Sequence, residues 1–297
     1  MLKIAVINQK GGVGKTTTTA NLGAALAIKG KRVLLLDLDP QANLTLHVDR
    51  RPDLEARTMT NVLVDDAPLQ QVIVPTALDK LSIAPADTSL AGVEQVLANR
   101  IGRETILREA FEVLEREDTS YDFALFDCAP SLGVLSANAL VAADQVLVPV
   151  QTEYFALQGM AKLFEVIELV KRRLNPPLSI AAILPCMVDL RTNLTAEVLS
   201  EIGRHFGQYV AKSFVRANVK LAEAPSFGRT IFEHAPDSNG ALDYLAFAGE
   251  LLGEAVDTAG PAAVAAPPSD ESVAAAKEPD GAPAAEPPPA AEAAAEA

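Results

Sequence analysis

Residues 4–17 read IAVINQKGGVGKTT. The first four residues are apolar and predict a buried strand, and the residues that follow Thr17 favour a helix. Between them, three glycines allow backbone conformations that are closed to residues with a Cβ atom, so successive N–H groups can converge on phosphate oxygens near a helix N-terminus. A strand, a glycine-rich loop and a helix in this order are the setting of a phosphate-binding loop. The stretch therefore predicts an α/β fold that binds a phosphate-bearing ligand.

Side chains of this loop have chemistry suited to a bound triphosphate. Lys15 can reach the β- and γ-phosphates, and the Thr16 hydroxyl can ligate Mg²⁺. The common loop has glycine at position 9, whereas this chain has Gln9 there and a second lysine, Lys10, just before the glycines. One alternative is a glycine-rich turn with an incidental lysine, which the flanking strand and helix disfavour. Lys10, taken alone, fits a solvated surface charge.

The chain up to residue 254 alternates short apolar runs with longer helical patterns. The apolar runs lack polar alternation, as is typical of strands buried on both faces of a parallel sheet. They predict strands at 4–7, 33–36, 81–84, 123–126, 146–150 and 180–184. Helices are predicted at 16–29, 90–116, 157–174, 195–206 and 240–252. This order predicts a doubly wound, mostly parallel sheet with helices on both faces, in which ligands bind at the carboxyl ends of the strands.

The loop with its extra lysine resembles the deviant Walker A motif of the ParA/MinD group of ATPases. Further segments resemble the ParA/Soj chromosome-partition branch of that group. These segments are DLDPQAN at 37–43, FALFD at 123–127, PSLG at 130–133, NAL at 138–140, VPVQ at 148–151 and EAPS at 223–226. The resemblance extends over about residues 2–253. It implies a P-loop NTPase fold, ATP and Mg²⁺ as ligands, and slow ATP hydrolysis that a partner accelerates.

The resemblance also implies roles for individual residues. It predicts that the nucleotide is bound by Lys10, Gly11, Gly12, Val13, Gly14, Lys15, Thr16, Thr17 and Asn218. Asp39 is implied as the catalytic residue that orients the attacking water, with Lys10 and Lys15 as catalytic cations. Asp127 ends an apolar run, as a Walker B carboxylate does, and is expected to hold Mg²⁺ through a water beside Thr16. Asp37 is a further candidate for the metal site or a switch loop, and capping of the next turn is its alternative role.

In the family, the lysine that corresponds to Lys10 crosses a dimer interface to touch the nucleotide of the other subunit. The resemblance therefore implies an ATP-dependent homodimer. If ATP favours the dimer and ADP does not, hydrolysis acts as a timer on the surface that the dimer presents.

Charge is distributed unevenly along the chain. The formal net charge of −14 argues against a general affinity for nucleic acid, but residues 155–235 carry ten bases and seven acids, a net of +3. Arg191 and Lys220 align with basic positions that the Soj-like branch uses for contacts to the DNA backbone, and Arg216 is a further candidate. The branch commonly has PRNVRL where this chain has RANVKL at 216–221, so one arginine is missing or displaced. Ala129 stands where proline is usual.

These observations predict an ATP-driven DNA-partition protein of the cytoplasm, associated with the nucleoid. Its ATP-bound dimer is expected to bind double-stranded DNA nonspecifically and to be released when a ParB-like, centromere-binding partner stimulates hydrolysis. One alternative is a related positioning ATPase for another cargo. A MinD-like, membrane-cycling ATPase is a second alternative, although the chain ends without the basic amphipathic helix of those proteins. A DNA-binding scaffold that uses ATP only structurally is a third.

The composition changes near residue 255. From residue 255 to residue 297 the chain is mostly alanine and proline, with eight acids against Lys277, a net of −7. This composition predicts an ATPase domain at 1–254 and a disordered acidic tail at 255–297, with partner binding or autoinhibition as alternatives for the tail. No apolar run reaches the length that spans a bilayer, and no membrane contact is predicted. Cys128 and Cys186 lack the spacing of a metal or redox site, which fits a reducing cytoplasm.

Overall fold

The computed structural model describes residues 1–49, 56–117, 121–153 and 156–255. The strands in these ranges are β1 Leu2–Val6, β2 Val33–Leu38, β3 Val74–Pro75, β4 Leu81–Ala84, β5 Phe123–Cys128, β6 Gln145–Gln151 and β7 Ser179–Cys186. They form one sheet in the order β3-β4-β2-β5-β1-β6-β7. All neighbouring strands are parallel except the edge pair β3 and β4. The predicted mostly parallel sheet is confirmed. The predicted tail, apart from Ala255, lies outside the described residues.

Helices cover both faces of this sheet. They are α1 Lys15–Ile28, α2 Asn43–His47, α3 Met59–Val64, α4 Val93–Val96, α5 Ile106–Arg116, α6 Val134–Ala142, α7 Ala156–Arg173, α8 Asn193–Phe206, α9 Val219–Glu223, α10 Ile231–His234 and α11 Asn239–Leu251. Short 3-10 turns lie at Leu69–Gln71, Thr88–Gly92, Gly207–Tyr209 and Ala224–Phe227. Among the helices of the described ranges, none combines the length and the apolar composition that crossing a membrane requires.

The central strands bury both faces, which explains why they read as continuous apolar runs. In β2, Leu34 and Leu36 belong to the hydrophobic layer that α5, α6 and α7 cover. Val33 and Leu35 of the same strand belong to the opposite layer, which α1 and α11 cover. Since six of the seven strands run in the same direction, the loops that follow β1, β2 and β5 meet at one edge of the sheet.

The single helix predicted at 90–116 is wrong. The chain there forms a 3-10 turn, the one-turn helix α4, an irregular stretch and then α5. Gly102 lies in the irregular stretch with φ of 74°, a left-handed conformation that cannot continue a right-handed helix. Elements that the pattern did not predict include the short helices α2, α3, α9 and α10, the edge strand β3, and α6.

Candidate functional site

The glycine-rich loop connects β1 to the N-terminus of α1, as predicted. Gly12 and Gly14 have φ of 77° and 94°, in the left-handed region that favours glycine, and Gly14 directly precedes the helix. A Cβ atom placed on Gly11 or Gly12 would meet no atom within 4 Å. The loop therefore borders open space at the start of a 14-residue helix, where backbone N–H groups and the helix dipole favour an anion.

Lys15 lies inside this loop and is only 7% exposed. Its Nζ donates a hydrogen bond to the carbonyl oxygen of Lys10 at 3.1 Å. Burial lowers the pKa of Lys15, while the nearby charges of Asp127 and Asp39 act to raise it. A buried ammonium bordered by open space is well placed to receive an anionic ligand. Of the other loop residues, Val13 is buried and Thr17 lines a cavity that is described below.

Thr16 and Asp127 form the part of the site that fits a divalent cation. The Thr16 hydroxyl donates to Oδ2 of Asp127 at 2.7 Å, and Asp127 is fully buried. Oδ1 of Asp127 has no hydrogen-bond partner among the described residues. Burial, and secondly the charge of Asp37, raise the pKa of Asp127 well above its usual value. Lys15 acts to lower the pKa of Asp127, but burial and Asp37 outweigh it, so this oxygen pair fits a further cation such as Mg²⁺ held with additional phosphate and water ligands.

Asp37 lies next to Asp127 on the adjacent strand, in register with it. Its Oδ2 accepts hydrogen bonds from the backbone N–H and the hydroxyl of Thr45, at 2.8 and 2.7 Å. Its Oδ1 accepts the N–H of Asp39 at 3.2 Å. Burial raises the pKa of Asp37 to about 6 despite these bonds. These contacts match the alternative role of Asp37, in which its carboxylate fixes the turn and the helix after β2. A metal-binding role for Asp37 stays a prediction.

Asp39 lies at the same edge of the sheet and is 9% exposed. Its Oδ1 accepts the N–H of Gln41 at 2.9 Å, which orients the carboxylate within the turn after β2. Thr45, in helix α2, also accepts the N–H of Ala86 through its hydroxyl at 2.9 Å. The loop that carries Asp39 is thus tied to its surroundings at both ends.

A cavity of about 580 Å³ opens beside the glycine-rich loop. Gly14 and Thr17 contribute to it from the loop, and Asn218 contributes from the start of α9. Its lining is predominantly apolar and includes Cys186, Met187, Val215, Ala217, Val219, Leu221, Ala222 and Tyr244. The Asn218 side chain accepts the N–H of Lys220 at 2.9 Å as the N-cap of α9, which fixes its orientation. An apolar cavity with a few polar groups next to a phosphate-binding loop fits the base of a nucleotide.

Comparison with known proteins agrees with this site. Residues 1–180 match the family model described as AAA domain. The chain is 45% identical to sporulation initiation inhibitor protein Soj of Bacillus subtilis, over 84% of this chain and 97% of that protein. It is 46% identical to chromosome-partitioning ATPase Soj of Thermus thermophilus, over 84% of this chain and 95% of that protein. The chain belongs to the Soj/ParA family. The resemblance inferred from its motifs is thereby confirmed, as is the predicted class of partition ATPase.

Solved structures agree with the Soj/ParA assignment at the level of the fold. Cobyrinic acid a,c-diamide synthase from Mycobacterium smegmatis, solved with bound ADP and magnesium, superposes with a TM-score of 0.73. The two chains are 37% identical, and the alignment covers 85% of this chain and 94% of that one. The predicted P-loop NTPase type of fold is confirmed.

The three cations predicted to bind DNA are each paired with a carboxylate in this Soj/ParA chain. Arg191 donates Nε and Nη2 to Asp189 at 2.8 and 2.7 Å, and Lys220 donates Nζ to Glu223 at 2.8 Å. Nη2 of Arg216 lies 2.6 Å from Oδ1 of Asp243. The Arg191 and Lys220 side chains are 88% and 53% exposed, whereas the Arg216 side chain is 37% exposed and its partner Asp243 is nearly buried. Arg191 and Arg216 also line the cavity beside the loop. Arg216 is thus the least accessible of the three.

Glu153 and Asn8 are two residues of the Soj/ParA site that the sequence did not reveal. Lys10, the second lysine of the loop, forms an ion pair with Glu153, just after β6. Asn8 donates Nδ2 to the carbonyl of Pro149 at 2.8 Å and accepts the N–H of Lys10 at 3.0 Å, which joins the loop to β6. The Lys10–Glu153 and Asn8–Pro149 contacts each span more than 140 residues of sequence, so no local motif signals them.

Proposed function

We propose that this protein binds Mg·ATP at the glycine-rich loop, hydrolyses it, and couples the two nucleotide states to DNA partition. The observation that carries the proposal is the contact between Thr16 and Asp127. It leaves one oxygen of a fully buried carboxylate without a partner among the described residues, beside an open phosphate-binding loop. In support, the Mycobacterium smegmatis synthase was solved with ADP and magnesium and with an ATP analogue and magnesium.

The proposed nucleotide ligands lie around the loop and the cavity beside it. They are Lys10, Gly11, Gly12, Val13, Gly14, Lys15, Thr16, Thr17 and Asn218. Thr16 and Asp127 hold Mg²⁺, with Asp127 acting through a coordinated water. Bound Mg²⁺ supplies a positive charge that neutralises the phosphate oxygens as charge develops on them.

Hydrolysis requires a water aligned with the terminal phosphate and cations that stabilise the transferred group. Asp39 orients this water, and Lys15 supplies a cation from inside the loop. Lys10 supplies a second cation to the nucleotide of a partner protomer, so that ATP becomes part of the contact between two copies of the chain. The ATP-bound dimer then persists until hydrolysis.

The dimer presents a surface for double-stranded DNA that includes Arg191 and Lys220, with Arg216 as a further candidate. A ParB-like, centromere-binding protein stimulates hydrolysis and releases the dimer from the nucleoid, in the cytoplasm. The Thermus thermophilus relative supports partition as the process, since its name describes a chromosome-partitioning ATPase. We place the ATPase domain at residues 1–254 and a separate acidic tail at 255–297.

The decisive experiment measures DNA binding with ATP, with ADP and without nucleotide, each at two salt concentrations. We expect tight, salt-sensitive binding only with ATP, because a dimer doubles the number of phosphates neutralised. Binding that is equal in all three nucleotide states would contradict the switch, and no binding at all would direct the proposal to another cargo. A parallel assay compares ATP hydrolysis by the wild type and by Asp39→Ala, and equal rates would favour a scaffold that uses ATP only structurally.

A further inference from the structure

Helix α11 carries two carboxylates that hydrogen-bond to the backbone of one neighbouring segment. Glu250 accepts the N–H groups of Lys212 and Ser213, at 2.7 and 2.8 Å. Asp243 accepts the N–H of Arg216 at 2.9 Å. The segment from residue 210 to residue 217 therefore meets α11 along one side through side-chain oxygens.

The other side of this segment pairs with the end of β7 and the residues after it. The N–H of Val215 donates to Pro185 at 2.8 Å, and that of Ala217 donates to Val188 at 3.1 Å. The segment thus forms an extension of the sheet, and α11 stands where a further strand would lie. Seven residues of helix rise by about 10 Å, close to the length of three residues of extended chain. Asp243 and Glu250 are spaced to match Arg216 and Ser213, so the two carboxylates replace the missing strand.

Asp243 makes contacts that Glu250 does not. Its Oδ1 also accepts Nε and Nη2 of Arg216, at 3.0 and 2.6 Å, so one carboxylate holds both the backbone and the guanidinium of the same residue. Arg216 and Asn218 line the cavity beside the glycine-rich loop. Lys212 and Ser213, whose N–H groups Glu250 accepts, are not among the described residues that line this cavity. Asp243 therefore acts on the cavity wall, and Glu250 acts on the far end of the segment.

The same helix also contacts α1, the helix that follows the glycine-rich loop. Tyr244, the residue after Asp243, also lines the cavity, and its hydroxyl lies 3.1 Å from the Thr18 hydroxyl of α1. Neighbouring residues of α11 thus contact the helix of the phosphate-binding loop and the wall that carries Asn218. Through these contacts, α11 connects Arg216 in the cavity wall to α1.

We infer that Asp243 is a positioning residue for nucleotide binding, which holds Arg216 and the wall around Asn218 at the distance that a nucleotide base requires. This inference rests on the proposed nucleotide site. It assigns Arg216 to the cavity wall and not to DNA. A charge-assisted bond to two guanidinium nitrogens restricts this part of the cavity wall to one arrangement. The wall is therefore ordered before the nucleotide binds, and its ordering does not reduce the affinity.

The test compares Asp243→Asn with Glu250→Gln, a matched variant that removes the other carboxylate of α11 from the same segment. Affinities are measured for ATP, ADP and inorganic tripolyphosphate, which has no base, and the melting temperature of each variant is recorded. We expect Asp243→Asn to weaken ATP and ADP by the same factor, about tenfold or more, since charge-assisted bonds contribute about 1.5–3 kcal/mol. Tripolyphosphate affinity should change by less than about twofold. In hydrolysis, KM should rise while kcat stays constant.

Three outcomes would overturn the inference: ATP affinity unchanged in Asp243→Asn, an equal loss in Glu250→Gln, or an equal loss for tripolyphosphate. If Asp243→Asn does not fold, Arg216→Lys replaces it, because lysine keeps the charge and loses the second nitrogen contact. The same losses for ATP and ADP are then expected. The proposed function fails separately, if the wild type binds no ATP or if Lys15→Ala binds it equally well.

Discussion

The Lys10 ammonium is paired with the Glu153 carboxylate of its own chain. The two side chains are 42% and 48% exposed, so solvent screens the pair, and such pairs contribute at most about 1 kcal/mol. In the proposed dimer, Lys10 contacts the nucleotide of the partner and therefore has to leave Glu153. A triphosphate carries more charge than one carboxylate and can displace it at little cost. The pair holds Lys10 away from a partner's nucleotide in the single protomer without preventing the later exchange.

The first prediction concerns this pair. Lys10→Ala should leave nucleotide binding by the protomer intact and abolish ATP-dependent dimerisation, as measured by light scattering. Glu153→Gln should do the reverse and lower the protein concentration needed for the dimer by up to about thirtyfold, the equivalent of about 1 kcal/mol for each of the two pairs that the dimer breaks. Asp66→Asn is the control, because it removes a carboxylate from an exposed pair with Arg100 outside the site. Dimers of Lys10→Ala that match the wild type would reject the role of Lys10.

The second prediction separates the two aspartates after β2. Asp39→Ala should reduce ATP hydrolysis by about 10²-fold or more and preserve ATP binding, because Asp39 is proposed to orient the attacking water. Asp37→Ala should instead lower the free energy of unfolding by about 1–3 kcal/mol, since it leaves the buried N–H and hydroxyl of Thr45 without their acceptor. Chemical denaturation and a phosphate-release assay measure the two effects. Loss of hydrolysis without loss of stability in Asp37→Ala would identify Asp37 as part of the reaction.

Much of the site could be predicted from sequence because it is encoded locally. The glycine-rich loop, the strand before it and the helix after it lie within residues 2–28, and the spacing of the loop is itself the signal. Asp127 was recognisable because the four residues before it are apolar and buried. The central strands were predicted well for the same reason, since burial on both faces leaves them without polar alternation.

Long-range contacts account for what the sequence did not reveal. Glu153 lies 143 residues from Lys10, and Asp243, on α11, lies 27 residues from Arg216, which belongs to an extended segment. The local net charge of +3 already includes Asp189 and Glu223, but it omits Asp243, which lies outside residues 155–235 and pairs with Arg216. The helix predicted at 90–116 was wrong because a helical apolar pattern continued across Gly102, whose backbone conformation interrupts the helix.

The third prediction concerns the carboxylates beside the proposed DNA contacts. Both oxygens of Asp189 bind Arg191, which holds the pKa of Asp189 at about 2, so the carboxylate stays charged at neutral pH. Asp189→Asn should therefore raise the affinity for DNA, whereas Arg191→Ala should reduce the slope of log K against log salt by about 1.8, which is about 0.9 for each of the two arginines that the dimer loses. Arg216→Ala should leave the slope unchanged, because Asp243 holds its guanidinium.

The control for this prediction is again Asp66→Asn, which changes the net charge from −14 to −13 just as Asp189→Asn does. Titration of labelled duplex DNA at several salt concentrations gives both the affinity and the slope. If Asp66→Asn raises the affinity as much as Asp189→Asn does, overall charge explains the effect, and the Asp189 pair has no specific role. A reduced slope in Arg216→Ala would return Arg216 to the DNA surface.

The last prediction concerns His47 at the end of α2, which is 1% exposed and whose Nε2 has no hydrogen-bond partner among the described residues. Burial lowers its pKa from 6.5 to about 4, so the unfolded chain takes up a proton first as the pH falls. The free energy of unfolding should therefore fall between about pH 6.5 and pH 4, by roughly 3 kcal/mol at 1.36 kcal/mol per pKa unit.

Asp37, whose pKa is raised to about 6, acts in the opposite direction over the same interval. The wild type alone would thus show a weak dependence on pH, and the difference in unfolding free energy between wild type and His47→Met isolates the histidine. A difference that stays constant between pH 6.5 and pH 4 would contradict the prediction, because it would show that His47 takes up its proton at the same pH in the folded and the unfolded protein.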